Sequence, residues 1–172
     1  DVPIDENGKL SSDRSLSRNQ YPALTLALGK EGNKGLEGLA YDLKGDRLFV
    51  TKERDPRQLL EVSGLRSSLA GGLSLHVRDL SSLLKDKVFA TDLSSVVFDQ
   101  QSGHLILLSD ESNLLIEMTD EGKVVSFRSL ARGFAGLLKG IPQAEGVTID
   151  DEGYLYVVSE PNLFYRFTRE TD

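Results

Sequence analysis

The stretch EGVTIDDEGYLYVVSE at residues 145–160 contains two short apolar runs separated by a polar turn. The same unit occurs as EGLAYDLKGDRLFVTKE at 37–53 and, with Ser in place of the first Glu, as SSVVFDQQSGHLILLSDE at 94–111. Apolar runs rich in Val, Leu and aromatic residues on both sides of such a turn predict a β-hairpin in each unit. The repeat is roughly 50–60 residues long, a length typical of propeller blades and kelch-type repeats.

Further strands follow each hairpin. A third run, with clearer alternation of apolar and polar residues, lies at 58–62, 113–118 and 162–167. A fourth run lies at 73–77 and 123–127, and residues 24–28 resemble the fourth strand of an earlier unit. Four strands per unit, apolar inside and more polar outside, are typical of a β-propeller blade.

We therefore predict an all-β fold, a β-propeller of four-stranded antiparallel blades in a single domain. The predicted units are a partial blade at 1–35 and blades at approximately 36–80, 92–130 and 144–170. Helix has little support: the best candidate is a short turn within 79–87, where Ser81 and Ser82 are suitable caps. The stretches 64–72 and 131–143 are predicted to be loops.

Composition excludes several classes of protein. The chain of 172 residues carries 20 Lys and Arg against 27 Asp and Glu, a net charge of -7. This sign argues against nucleic acid as a partner. No apolar run reaches the roughly 18 residues of a membrane span. The absence of cysteine excludes thiolate metal sites, and the two histidines, His76 and His104, leave little room for a histidine-based catalytic or metal site.

Acidic residues are predicted to gather at one end of the hairpins. In an antiparallel pair the residue entering the first strand lies beside the residue leaving the second. Glu37 is thus predicted beside Glu53, and Glu145 beside Glu160, with Asp92 at the same end of the middle unit. Because the first strand of each blade lines the channel, these ends converge at one channel mouth. The candidate metal ligands are Glu37, Glu53, Asp110, Glu111, Glu145 and Glu160.

Carboxylates held close together favour a hard cation with oxygen ligands. Ca²⁺ or Mg²⁺ therefore fits better than Zn²⁺, and no organic cofactor is predicted. The alternative is that these carboxylates are solvated or paired with Lys34, Lys52 or Arg54. A second set of acids, Asp42, Asp99 and Asp150, ends the first strand of each hairpin and is expected to accept backbone N–H groups in Asx-turns.

The segments GNKGLEGLAYD, RLFVTKERDP and IPQAEGVTIDDEGYLYVVSEPNLFYRF resemble the SdiA-regulated, or YjiK-like, family of bacterial proteins. The resemblance extends from about Thr25 to Phe167. It implies a β-propeller of the cell envelope, periplasmic or associated with the inner membrane, and attaches no firm biochemical activity. The Glu-Gly openings at Glu37 and Glu145 are also similar, more distantly, to those of calcium-dependent propeller lactonases and phytase-like esterases.

Two functional classes follow from this sequence. The first is a non-catalytic envelope propeller that binds a ligand, an ion or a protein at the channel mouth. The alternative is a metal-dependent hydrolase of the esterase or lactonase type, in which a bound ion activates water. The incomplete glutamate pattern favours the first.

The number of repeats is too small for a ring. Propellers have at least about four blades, whereas the repeat accounts for about three here. We therefore expect an incomplete propeller, part of a longer one, whose open blade edges promote self-association.

Overall fold

The computed structural model describes residues 35–72, 74–85 and 88–168. The strands are β1 (Leu36–Asp42), β2 (Arg47–Lys52), β3 (Gln58–Ser63), β4 (His76–Asp79), β5 (Ser95–Asp99), β6 (His104–Ser109), β7 (Leu114–Met118), β8 (Val124–Ser129), β9 (Ala144–Ile149), β10 (Leu155–Ser159) and β11 (Leu163–Phe167). A helix, α1 (Leu65–Leu69), and a 3₁₀ turn (Ser81–Leu84) complete the secondary structure of these residues. Neither is long and apolar enough to cross a membrane.

The strands form three separate antiparallel sheets in chain order. The first blade is β1–β4, the second is β5–β8, and the third contains β9–β11 in the described residues. The innermost strands are neighbours, because β1 contacts β5 and β5 contacts β9. The predicted all-β architecture of propeller blades is confirmed, and within the described residues the blades do not close into a ring. The fourth strand predicted at 24–28 lies outside these residues.

Two local predictions differ from the structure. The fourth strand of the first blade was predicted at 73–77 but spans His76–Asp79, because His76 pairs with Ser63 at the end of β3. The connection 64–72, predicted to be a loop, contains α1, which begins after Gly64 in the left-handed conformation at φ 79°. Positive φ favours glycine, and a five-residue helix leaves no periodic apolar pattern to detect.

The short helical turn suggested within 79–87 is a 3₁₀ turn at Ser81–Leu84, and no side chain caps it. The Asp79 carboxylate accepts the backbone N–H of Ser81 at 2.8 Å. The Ser81 hydroxyl in turn accepts the N–H of Leu59 at 3.1 Å. Ser81 therefore extends the edge of the sheet beyond β4, which shortens the segment available for a helix.

The first and second blades share the largest apolar core. Phe49 is fully buried and stacks on Phe98 of the next blade, with ring centroids 5.6 Å apart. The Arg47 guanidinium lies 5.3 Å from the Phe49 ring centroid and 5.8 Å from that of Phe98. Leu59 and Leu80 belong to the same cluster. Aromatic stacking and burial thus fix the first two sheets against each other.

A second cluster joins the second and third blades. It includes Ile106, Leu108 and Leu115 on one side and Val157 and Phe167 on the other. The backbone N–H of Val147 also donates to the Ser95 hydroxyl at 3.2 Å, which links the inner strands of the two blades. The first and third sheets each have one face that no described blade covers, and on these faces Leu39 is 67% and Phe164 66% exposed. Self-association through the open blade edges stays a prediction.

Candidate functional site

The aspartates that end the inner strands have a structural role, as predicted. The Asp42 carboxylate accepts the N–H groups of Lys44 and Gly45, both at 3.0 Å. Asp99 and Asp150 make the corresponding bonds in the second and third blades. A hydrogen bond from the Tyr156 hydroxyl, with those from the backbone, lowers the pKa of Asp150. This end of the blades is therefore built from Asx-turns.

The glutamates at the opposite end lie in β-bulges. In β1 the register shifts between Leu36 and Gly38, which leaves Glu37 as the extra residue. Glu145 occupies the same position in β9, between Ala144 and Gly146. The N–H of Glu53 donates to Gly35 and that of Glu160 to Gln143, so neither glutamate pair is directly opposed as the simple hairpin predicted. Bulges re-aim side chains, and these turn two glutamates out of the ladder.

Carboxylates from all three blades converge around Glu145. Partial desolvation and repulsion from four other carboxylates raise the pKa of Glu145. The four are Asp110, Glu160, Glu37 and Glu53. Asp110 is fixed beside Glu145, because its carboxylate accepts the N–H of Ala144 at 2.8 Å. We call the set Glu37, Glu53, Asp110, Glu111, Glu145 and Glu160 the acidic mouth.

Arg54 is the cation within the acidic mouth. Its guanidinium pairs with both Glu53 and Glu111, and so connects the first and second blades. Lys52, another candidate partner from the sequence, instead donates to the backbone carbonyls of Arg54 and Asp55, both at 3.0 Å. Ion pairs with Arg54, one of the predicted partners, therefore involve two of the six acids. The third predicted partner, Lys34, lies outside the described residues.

Asp92 stabilises the base of the acidic mouth from within the protein. Its side chain accepts the Ser109 hydroxyl and, at 3.1 Å, the N–H of Asp110. Asp92 is 1% exposed, so this carboxylate supports Asp110 and does not face a ligand. The sequence correctly predicted that Asp92 lies at the mouth end of its blade. It did not indicate that the side chain is buried.

The acidic mouth holds no preformed metal cage. Among residues 35–72, 74–85 and 88–168, no three His, Asp or Glu side chains are arranged to hold a metal ion. Two of the acids are engaged by Arg54, and the glutamates in the two bulges belong to different blades. The acidic mouth instead provides a concentration of negative charge, and its carboxylate oxygens can adjust their positions to a ligand.

The raised pKa of Glu145 predicts a pH-dependent effect of Glu145→Gln. When the pKa of a carboxyl is higher in the folded protein than in the unfolded chain, ionisation of that carboxyl is less favourable in the folded protein. The protein therefore loses stability as the pH rises from the ordinary pKa of 4.5 through the raised pKa. Glutamine does not ionise. The variant should therefore match the parent in stability at about pH 3.5 and exceed it at about pH 7, measured by urea unfolding.

The matched control is Glu152→Gln, which removes the same charge at the turn end of the same blade. It should give a smaller gain between the two pH values, because Glu152 lies away from the mouth carboxylates. An equal gain from both variants would mean that net charge alone, and not the mouth, causes the effect.

His104 lies at the other end of its blade. Its Nδ1 atom lies 2.7 Å from Glu117 Oε1 at the turn end, whereas Ser109 ends the same strand near the mouth. The length of β6 therefore separates His104 from the mouth. A histidine base is thus absent from the acidic mouth as the described residues form it.

Comparison with known proteins identifies a family and a structural similarity. A family model described as SdiA-regulated matches residues 8–168. Among solved structures, a streptogramin B lyase is similar with a TM-score of 0.45 and 10% sequence identity. That match covers 81% of this chain and 42% of the lyase chain, so the chain spans less than half of that protein.

Proposed function

Because the chain belongs to the SdiA-regulated family, we propose that it is a binding module of the cell envelope, built as a β-propeller, whose acidic mouth takes a cation. The envelope location rests on the resemblance in sequence. The cation site rests on one observation, the convergence of carboxylates from three blades around Glu145.

The charge balance supports a cationic ligand. Six carboxylates make up the acidic mouth, and Arg54 pairs with two of them, Glu53 and Glu111. The remaining four are Glu37, Asp110, Glu145 and Glu160. Repulsion among like charges is relieved when a cation binds between them. Partial burial, followed by this repulsion, raises the pKa of Glu145.

The donor atoms support Ca²⁺ as the simplest ligand. All candidate donors are carboxylate oxygens, which hard cations prefer, and Ca²⁺ accepts irregular coordination more readily than Mg²⁺. Binding requires Glu37 and Glu145 to move toward a shared ion, since no three acids are prearranged among the described residues. We therefore expect weak binding, with a Kd of about 10⁻⁴–10⁻³ M.

Calorimetric titration with CaCl₂ tests the proposal. The parent chain should release or absorb heat on binding, and the double variant Glu37→Gln, Glu145→Gln should bind at least about tenfold more weakly because it loses the two donors in the bulges. The control is Glu121→Gln, Glu152→Gln, which removes equal charge from the turn ends. This control should bind Ca²⁺ like the parent.

Three outcomes contradict parts of the proposal. No saturable heat with the parent removes the cation site. Equal weakening in both double variants reduces the effect to net charge. Hydrolysis of a simple ester or lactone by the Ca²⁺-loaded parent, lost in the Glu37 and Glu145 variant, replaces the binding module with the hydrolase alternative.

A further inference from the structure

A second concave site lies between the second and third blades, at the turn end and away from the acidic mouth. It is a cleft of about 110 Å³ and is mostly apolar. We call it the interblade cleft; its lining includes Ile106, Glu117, Arg128, Ile149, Leu155 and Phe167. A cleft at this position is unexpected, because the neighbouring blades are otherwise closely packed.

The equivalent space between the first and second blades is filled by the protein. Arg47 lies over the stacked rings of Phe49 and Phe98 there. The Arg47 guanidinium also pairs with Glu61 at 3.4 Å and with Asp120 at 2.5 Å. Leu80 is buried against the same cluster.

Strand register identifies the residues that replace this filling. Asp99 pairs with His104 as Asp42 pairs with Arg47, so His104 takes the place of the arginine. By the same alignment Ile106 corresponds to Phe49, because each lies opposite a glutamate of the third strand. Ile149 corresponds to Phe98, since each directly precedes the aspartate that ends the inner strand. Two aromatic rings and a long side chain are thus replaced by smaller groups, which leaves the cleft.

The fourth replacement adds a charge. Arg128 pairs with Leu115 in the sheet, where the first blade has Leu80 bonded to Leu59. Its guanidinium carbon lies 5.9 Å from the centroid of the Phe167 ring. Arg128 is half-buried and lines the cleft together with this ring. A half-buried guanidinium beside an aromatic ring in an apolar cleft is well placed to bind an anion.

We propose that the interblade cleft binds a small organic acid, a carboxylate attached to a compact apolar body. The carboxylate pairs with Arg128, for which a two-point contact is the favoured geometry. The apolar body packs against Ile106, Leu155 and Phe167. Glu117 also lines the cleft, where its carboxylate oxygens contact His104 at 2.7 Å and Ser126 at 2.8 Å.

The size of the cleft limits the ligand. A cavity of about 150 Å³ lined by aliphatic and aromatic residues accommodates benzene. At about 110 Å³ the cleft suits a single ring or a short chain whose carboxylate projects to the entrance. Benzoate is therefore a suitable probe, and acetate, which has the charge without the apolar body, is its matched negative control.

Titration of the full chain with benzoate, followed by calorimetry or by chemical shifts, tests the site. The parent should bind benzoate saturably and acetate at least about tenfold more weakly, because burial of the ring supplies most of the affinity. Arg128→Leu should weaken benzoate binding at least about tenfold. This variant carries the residue found at the equivalent position of the first blade, Leu80, and is expected to fold.

Ile149→Phe gives an independent test, because it keeps Arg128 and fills the cleft with the ring found at the Phe98 position. It should also weaken benzoate binding at least about tenfold. Arg132→Leu, on an exposed loop, should bind as the parent does. The proposal is overturned if the parent shows no saturable binding at millimolar benzoate, or if Arg128→Leu and Ile149→Phe both bind it unchanged.

Discussion

Phe49→Ala should lower the free energy of unfolding by about 3–5 kcal/mol, the range for truncating a buried phenylalanine. Phe49 is fully buried and stacks on Phe98 across the first two blades. Truncation removes the stacked pair and leaves the Arg47 guanidinium with one ring in place of two. Urea unfolding followed by circular dichroism measures the loss.

Phe164→Ala is the matched control for this prediction. Phe164 stacks on Tyr156 with the same centroid distance of 5.6 Å, but it is 66% exposed. We expect a loss below about 1 kcal/mol, because an exposed ring leaves no cavity. Similar losses in the two variants would mean that the first two blades are not joined by this aromatic core.

Gly38→Ala should lower the free energy of unfolding by about 1–3 kcal/mol or more, since a methyl group there overpacks the junction of two blades. A Cβ atom at this position would lie 2.2 Å from Thr51 Oγ1 and 2.8 Å from the backbone nitrogen of Val96. The Val96 nitrogen belongs to the next blade's inner strand and cannot move alone. The midpoint of urea unfolding gives the change.

Gly146→Ala tests the same substitution at the equivalent glycine of the third blade. Only Val158 Cγ2, at 2.7 Å, lies near the added methyl group. Val158 is 48% exposed, so its side chain has room to move. The loss should be clearly smaller than for Gly38→Ala. If Gly146→Ala is equally harmful, the close approach of β1 to β5 is not the reason for glycine at position 38.

Repetition made most of the fold predictable from sequence. The hairpins and third strands follow from apolar runs around turns, and the roles of Asp42, Asp99 and Asp150 follow from local turn chemistry. The failures concern features that depend on tertiary packing. The helix α1 has five residues, too few for a periodic pattern, and the turn at Ser81 is determined by a hydrogen bond to Leu59, distant in sequence.

The position of the acidic mouth residues at one end of the blades was predictable from sequence, but their detailed arrangement was not. Strand direction placed Glu37 and Glu145 at one end of the blades, where partial burial and neighbouring carboxylates, Glu37 among them, raise the pKa of Glu145. The bulges were missed, because one extra residue leaves no mark in an apolar pattern. The interblade cleft was missed as well. Its signal is the difference between Leu80 and Arg128 at equivalent positions, which becomes apparent only once the register of the outer strands is known.

The hydrogen bond from Ala144 to Asp110 has a further consequence. The same carboxylate belongs to the acidic mouth and ties the third blade to the second. In the cation complex proposed above, an ion that draws Asp110 toward itself competes with one of the contacts that join these two sheets. Occupancy of the mouth and the angle between blades are then thermodynamically linked, so whatever alters one alters the other by the same free energy. A change that moves the two sheets apart would accordingly alter the affinity of the acidic mouth for a cation without contacting the ligand.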